Sequence, residues 1–263
     1  MPLTIDIGNT NISFGIFKGA RLIRRFDIPT KGYSITRLKN GLSNTRVDDA
    51  IICSVVPKIS RAVEKDLAIF IGKVPIVLGK HTKVPIKNLY RKPAQLGQDR
   101  LVNAYAATML YGAPIIVVDF GTAITFDVVS KKREYLGGMI IPGLEICLEA
   151  LSQRAALLPE IKLDRPKEFI GRDTKNSILS GIIYGFAGLT DCLITRIRKR
   201  TGKDAVTIGT GGAVDLIRRY CKGIVTIDRD LTLKGLDLIY RHFYGSSLPS
   251  GIGSGADTVI LNP

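Results

Sequence analysis

Apolar and polar residues alternate with a period of two from Leu3 to Phe17 and again from Arg21 to Ile28, with Lys18-Gly19 as a turn between them. That rhythm predicts a meander of strands joined by hairpins. Ser34 to Asn40 reads as a short helix, Ala50 to Val55 as a buried strand stopped by Pro57, Lys58 to Ile71 as a helix and Val74 to Leu78 as another strand. Lys80 to Gln95 holds two prolines and no clean period, which predicts a loop facing another part of the molecule. Helical spacing returns from Arg100 to Tyr111, with Asp99 as the expected N-cap and Gly112 and Pro114 as the stop.

The pattern then restarts. Strands are predicted at Ile115 to Val118, Thr125 to Ser130 and around Glu134 to Ile140, followed by helices at Gly143 to Ala155 and Asn176 to Thr201. Val206 to Gly209 is a strand, Thr210-Gly-Gly a tight turn, Ala213 to Cys221 a helix, Gly223 to Ile227 a strand and Leu233 to Tyr244 a final helix. With one residue skipped, Thr10 to Phe17 aligns on Thr122 to Val129, hydroxyl on hydroxyl and apolar on apolar. Each copy follows an acid and a glycine, in Asp6-Ile-Gly-Asn-Thr10 and Asp119-Phe-Gly-Thr122. The chain therefore reads as an internal duplication, with domains at residues 1–112 and 113–245 and a Gly- and Ser-rich tail at 246–263 that is expected to be mobile.

A chain of 263 residues buries roughly 70–75% of its unfolded surface. Its 45% hydrophobic and 23% charged residues exclude disordered and fibrous classes. Asn176 to Thr190 carries no Asp, Glu, Lys or Arg but is shorter than a membrane span and rich in Ser and Gly, so a close-packing soluble helix is expected and no membrane partner. The N-terminus opens straight into a strand without the basic and apolar regions of a secretion signal, which makes the expected location cytoplasmic. The four cysteines are far apart with no C-x-x-C and there are two histidines, so neither zinc nor disulfides are expected and the thiols read as small buried apolar groups. A net charge of +15 points to an anionic partner, either nucleic acid or a polyanionic small molecule. The densest basic run, Arg196 to Arg200 with Lys203, suits the solvated C-terminal end of a helix.

Chemistry concentrates in the glycine-bearing turns. At the first, backbone amides around Gly8 can approach phosphate oxygens, Thr10 and Asn11 add neutral donors, and Asp6 can hold a hydrated Mg²⁺. Two such turns, one from each half, would face across a cleft and grip one nucleotide. Gly209-Thr-Gly-Gly212 offers close approach to a base or ribose, or simply tight packing; Val214 at the third small position argues against a dinucleotide fingerprint, and no Gly-Lys is followed by Ser or Thr as a Walker loop requires. In Gly97-Gln-Asp-Arg100, Asp99 is a candidate base or a plain helix cap, and Arg100 either meets an anionic substrate or steadies the loop. A weak base suffices for phosphoryl transfer, because the acceptor hydroxyl gives up its proton late. The Thr174 hydroxyl in Gly171-Arg-Asp-Thr174 either binds substrate or caps the following helix, whose small-residue face suggests a tight contact within the chain or across a dimer.

Together with Gly137-Gly-Met-Ile-Ile-Pro142, these motifs closely resemble, in order and approximate spacing from Thr4 to about Tyr240, the type III pantothenate kinases of the acetate and sugar kinase/Hsp70/actin superfamily. The resemblance implies an α/β fold of duplicated actin-like (ribonuclease H-like) domains, each a mixed sheet flanked by helices, with an ATP cleft between them. It implies ATP-dependent phosphorylation of the primary hydroxyl of pantothenate, the entry step of coenzyme A synthesis, with Asp99 as proton acceptor. Asp6, Ile7, Gly8, Asn9, Thr10, Asn11, Ile12 and Ser13 would then bind ATP with Gly121 and Thr122, joined by Gly209, Gly211 and Gly212. Asp119 would hold a monovalent cation, K⁺ or NH₄⁺, while Tyr90, Gly97, Gln98, Asp99, Arg100 and Thr174 would contact pantothenate in a pocket completed across a homodimer. Gln98 fills a variable place, and the segment after Gly245 runs past the usual end. The rival functions are a regulator similar to the Bvg accessory factors, favoured only by the charge, and a phosphotransferase acting on another alcohol. No helix-turn-helix or aromatic RNA platform is evident, so nucleic acid is not an expected partner.

Overall fold

The computed structural model describes residues 1–245, so the expected mobile tail at 246–263 lies outside the described residues. Strands β1 (Pro2–Ile7), β2 (Asn11–Lys18) and β3 (Arg21–Pro29) form the antiparallel meander that the alternation predicts. A short helix, α1 (Ile35–Gly41), starts where the Ser34 side chain accepts the Arg37 amide, and β4 (Asp49–Ser54) then returns parallel to β1. Helix α2 (Pro57–Ile71) opens on a proline, whose missing N–H costs nothing at that position. It ends at Gly72, and β5 (Ile76–Val77) completes a sheet ordered β3-β2-β1-β4-β5.

The second half repeats this plan. After β6 (Lys87–Asn88) and α3 (Gln98–Tyr111) come β7 (Ile115–Phe120), β8 (Ala123–Val129), β9 (Glu134–Pro142), α4 (Leu144–Arg154), α5 (Thr174–Thr201), β10 (Val206–Thr210), α6 (Val214–Arg218), β11 (Thr226–Ile227) and α7 (Leu231–Tyr244). Their sheet is ordered β11-β10-β7-β8-β9-β6. With β6 set aside, both sheets place their strands third, second, first, fourth, fifth, antiparallel through the meander and parallel beyond it. Asp6 pairs with Ser13 across the first hairpin and Asp119 with Thr125 across the second, so the residue skipped in the sequence alignment lies in the turn.

Three apolar cores follow from this layering. One joins Leu3, Ile5, Ile12 and Phe14 to Leu38, Val63 and Leu67 under α1 and α2. A second joins Ile116, Val118 and Phe126 to Ile183, Ala187 and Ile194 of α5. The third lies between the sheets, where α3 packs on β7 and β8, α7 packs on β1 and β4, and the two helices pack on each other. Gly235 makes that last contact possible, since a Cβ there would fall 2.7 Å from Val102 Cγ1 and 2.9 Å from the Val102 carbonyl oxygen. Each fully buried Leu, Ile or Phe in these cores contributes roughly 1.5–3 kcal/mol, which anchors the turns at the strand ends.

Several local expectations are corrected. The segment Lys80 to Gln95 is not wholly irregular, because β6 within it adds to the second sheet in parallel with β9, helped by a 2.6 Å contact of Lys87 Nζ with Glu134. Asp99 is not the cap of α3; Gly97 holds that position and Asp99 lies in the first turn. Asp173 caps α5 by accepting the Asn176 amide, so Thr174 is the first helical residue and not the cap. Cys53 and Cys221 are buried as expected, whereas Cys192 is exposed and Cys147 half-buried; all four are free thiols. Helix α5 runs for 28 residues, longer than the uncharged stretch alone, and with a mean hydropathy of 1.6 over its most apolar window it is long and apolar enough to cross a membrane. Its inner face instead packs Ile183, Ala187, Ile194 and Ile197 beneath the second sheet and its last turn carries Arg198, Lys199 and Arg200.

Candidate active site

The two acid-tipped turns meet. Thr10 Oγ1 and Thr122 Oγ1, paired by the internal alignment, stand 3.0 Å apart across 112 residues of sequence. The first turn is pinned by the Gly8 amide donating to the Asn11 carbonyl (3.0 Å), by Thr30 Oγ1 donating to the Gly8 carbonyl (2.7 Å) and by the Thr30 amide donating to the Thr10 carbonyl (2.9 Å). The second is pinned by the Gly143 amide on the Thr122 carbonyl (3.0 Å) and the Ala213 amide on the Phe120 carbonyl (3.1 Å). Asn9, Thr10, Asn11, Gly121 and Thr122 are left exposed at the tips. Ile7 and Ile12 turn their side chains into the first core, so only their backbones remain for a ligand. The Ser13 hydroxyl donates to Asp27 at 2.6 Å.

The third glycine element closes onto the second turn. Gly211 adopts φ +91°, where an L side chain is strained, and a Cβ there would fall 2.4 Å from Asp119 Oδ1. Gly212 is exposed with open space around it, whereas Gly209 is buried, its missing Cβ explained by Val214 at 2.9 Å and Ile224 at 3.0 Å.

Three carboxylates converge beneath the tips. Burial pushes Asp6 up from the ordinary 3.8 to about 8, with the charges of Asp99, Asp119 and Asp27 adding to the effect. Burial, then Asp99 and Asp127, push Asp119 up to about 7 against an opposing hydrogen bond from Asn103. Asp99 is raised by burial and partly relieved by the Arg100 amide and guanidinium, and its Oδ1 is buried without a hydrogen-bond partner. Gly97 makes room for that oxygen, since a Cβ would lie 2.3 Å from it. Such a cluster favours any arriving positive charge. Among the described residues no three His, Cys, Asp or Glu side chains form a ready-made metal cage. Mg²⁺ needs only one or two carboxylates and completes its shell with phosphate oxygens and water, so Asp6 is a residue that could hold it. Asp119 also suits a cation, with Oδ2 held by Asn103 Nδ2 at 3.1 Å and Oδ1 beside Gly121 and Gly211.

The remaining predicted residues fall into separate settings. Tyr90 lines a pocket of about 470 Å³ with Leu89, Arg91, Gln95, Gly137 and Gly138. Arg100 is buried and paired with Asp127, and the Gln98 side chain lies near Gly79. Thr174 is exposed at the start of α5, and no hydrogen bond joins it to the Asp99 region. Asn103 was not among the predicted residues, although it lies one helical turn after Asp99 on the same face of α3, a spacing that could have revealed it. Its Oδ1 accepts Thr232 Oγ1 from α7 at 2.7 Å, so both central helices orient the second acid.

A duplicated sheet pair with phosphate-sized turns facing each other is the layout of the actin-like ATPases and sugar kinases. The fold is similar over 95% of this chain and 99% of the other to the activator of 2-hydroxyisocaproyl-CoA dehydratase from Clostridium difficile with bound ADPNP, at 12% identity and a TM-score of 0.51. It is also similar to a Campylobacter jejuni protein whose structure is named for the Baf family of transcriptional activators, at 21% identity, a TM-score of 0.55 and coverage of 91% and 98%. At these identities the likeness is one of fold. Sequence is more specific: the family profile for type III pantothenate kinase matches residues 2–196. A protein of that name from Geobacter sulfurreducens is 41% identical over 251 residues, covering 92% of this chain and 98% of the relative. Another from Agathobacter rectalis is 39% identical over 252 residues, covering 92% and 97%. This chain belongs to the type III pantothenate kinase family.

Proposed function

We propose that the protein transfers the terminal phosphoryl group of ATP to the primary hydroxyl of pantothenate, giving 4'-phosphopantothenate for coenzyme A synthesis. The observation that carries the assignment of the site is the meeting of Thr10 and Thr122 above Asp6, Asp99 and Asp119. In this reading the exposed amides and hydroxyls of the two turns donate to phosphate oxygens, where fixed donors stabilise charge without reorganising. Asp6 would hold Mg²⁺ and Asp119 would hold K⁺ or NH₄⁺, and the two ions would supply neutralisation of the transferring group's charge. Asp99 aligns the acceptor hydroxyl and takes its proton; burial, by raising its basicity, suits it to that task. The pocket at Tyr90 receives the acceptor.

The halves 1–112 and 113–245 act as lobes around this cleft. A second copy of the chain is the proposed cover for the outward face of α5, where Thr174, Ser177, Gly181, Gly185 and Gly188 lie exposed and the preceding loop exposes Phe169 and Ile170. The proposed location is the cytoplasm. The +15 charge draws an anionic nucleotide and acceptor, and no observation favours a nucleic-acid partner. The test is to incubate the protein with ATP, Mg²⁺ and K⁺ and a panel of small alcohols, following ADP release and product mass. ADP released only with pantothenate is expected; no activity on any alcohol, together with salt-sensitive DNA retention, overturns the reading. An active preparation that sediments strictly as a monomer overturns the dimer.

A further inference from the structure

Beneath the pocket at Tyr90 lies a polar cluster whose work the catalytic scheme leaves unassigned. Asp127 on β8 is fully buried between Phe126 and Val128. Its Oδ1 accepts Arg100 Nε at 2.8 Å and the Tyr135 hydroxyl at 2.7 Å, and its Oδ2 accepts Thr125 Oγ1 at 3.0 Å. A carboxylate held by three donors from three side chains has one orientation, and the guanidinium it grips is fixed with it. Arg100 Nη2 is ion-paired with the same Oδ1 at 2.7 Å, but among the described residues no well-aligned acceptor takes its N–H groups. That nitrogen sits directly under Gly138, where a Cβ would fall 2.7 Å from it, and Gly138 lines the pocket with Gly137 and Tyr90. Tyr135 closes the cluster from the other side, its ring 6.4 Å from that of Tyr90.

A buried ion pair is weak evidence for stability, because apolar residues of equal volume often do as well. A pair held this firmly, with guanidinium N–H groups that find no aligned acceptor under the Gly138 floor of a pocket, is better explained by what those groups are kept for. The geometry points to Asp127 as a positioning residue for the acceptor: locked by Tyr135 and Thr125, it sets Arg100 so that those N–H groups serve an oxyanion arriving over Gly138. This rests on the proposed kinase reading, in which that oxyanion is the acceptor's carboxylate. Asp127 thereby governs the preference for an anionic over a neutral alcohol without itself touching either.

The test is steady-state kinetics of Asp127→Asn and Tyr135→Phe with pantothenate and with its neutral analogue carrying a hydroxymethyl group in place of the carboxylate. Asp127→Asn keeps the shape of the side chain and removes its charge. The expected result is a rise of about tenfold in KM for pantothenate, KM for ATP held within about twofold, and a matching loss of preference over the neutral analogue. Tyr135→Phe moves the same quantities in the same direction by about threefold. Equal losses on both acceptors, or a lowered melting temperature with unchanged KM values, overturn the inference. If Asp127→Asn does not fold, an unaltered acceptor preference in folded Tyr135→Phe overturns it. Wild-type protein inactive on every alcohol sinks the kinase reading itself, whereas active wild type with unchanged variants sinks only the role of Asp127.

Discussion

Asp6 and Asp119 occupy the same place in two copies of one strand-turn-strand, yet the two copies hold their acids differently. Behind β7, α3 supplies Asn103, which binds one oxygen of Asp119 and is itself held by Thr232. Behind the first hairpin, α7 supplies Leu233, packed beside Gly15, and no side-chain hydrogen bond to Asp6 is formed among the described residues. Burial pushes both acids up, Asp6 with no opposing hydrogen bond and Asp119 against the one from Asn103. Duplication thus produced two equivalent scaffolds, and the helix behind each determined whether its acid is oriented or left free. An oriented acid suits a cation held in one place, and a free one suits a hydrated ion that arrives with the nucleotide.

The largest expected effect is on the acid that both copies face. Asp99→Asn should lower kcat by about 10²–10⁴-fold while nucleotide binding, followed by fluorescence, stays intact. Normal turnover would remove Asp99 as the base. Next, the two hairpin acids should separate. Asp6→Asn should lower turnover by about 10²–10³-fold and weaken the Mg²⁺ dependence. Asp119→Asn should abolish activation by K⁺, and Asn103→Ala should shift the half-activating K⁺ concentration by about 10–100-fold with the Mg²⁺ requirement unchanged. Identical responses to both ions in all three variants would erase the proposed division of labour.

A smaller effect concerns pH. Both acids bind protons more tightly in the folded chain than at their ordinary 3.8, so their favourable contribution is complete below that value. It is lost as pH rises, until about 7 for Asp119 and about 8 for Asp6. The melting temperature of the ligand-free protein should fall over this window, Asp6→Asn should flatten its upper part, and Mg²⁺ with ATP should restore more at the alkaline end. A melting curve series for Asp6→Asn parallel to wild type would contradict this. The smallest effect tests what joins the halves: Gly235→Ala should cost about 1–3 kcal/mol in urea denaturation by crowding Val102. Gly181→Ala, with no atom near its Cβ in one chain, should stabilise the monomer by about 0.5–1 kcal/mol through helix propensity while weakening association.

Much of the fold was legible because strand alternation and hairpin turns depend on residues close in sequence. The meander and its repeat follow from which side of a strand each residue faces. The two-residue β6 was not legible, because its pairing with β9 gives no periodic signal across so short a segment. The caps were misplaced by one or two residues for a similar reason: Asp99 and Thr174 are both plausible starts, and only the finished helices put Gly97 and Asp173 in those positions.

By itself the sequence determined the duplicated α/β plan, the family, and the acids and glycines proposed to carry the chemistry, since these reside in residue type and local spacing. Tertiary structure alone decided that Thr10 meets Thr122, that Asn103 holds Asp119 while Asp6 stays free, and that Asp127 grips Arg100 under the pocket. Those contacts join residues 16 to 112 positions apart. Their geometry is set by how two sheets and two central helices pack, which no local pattern encodes.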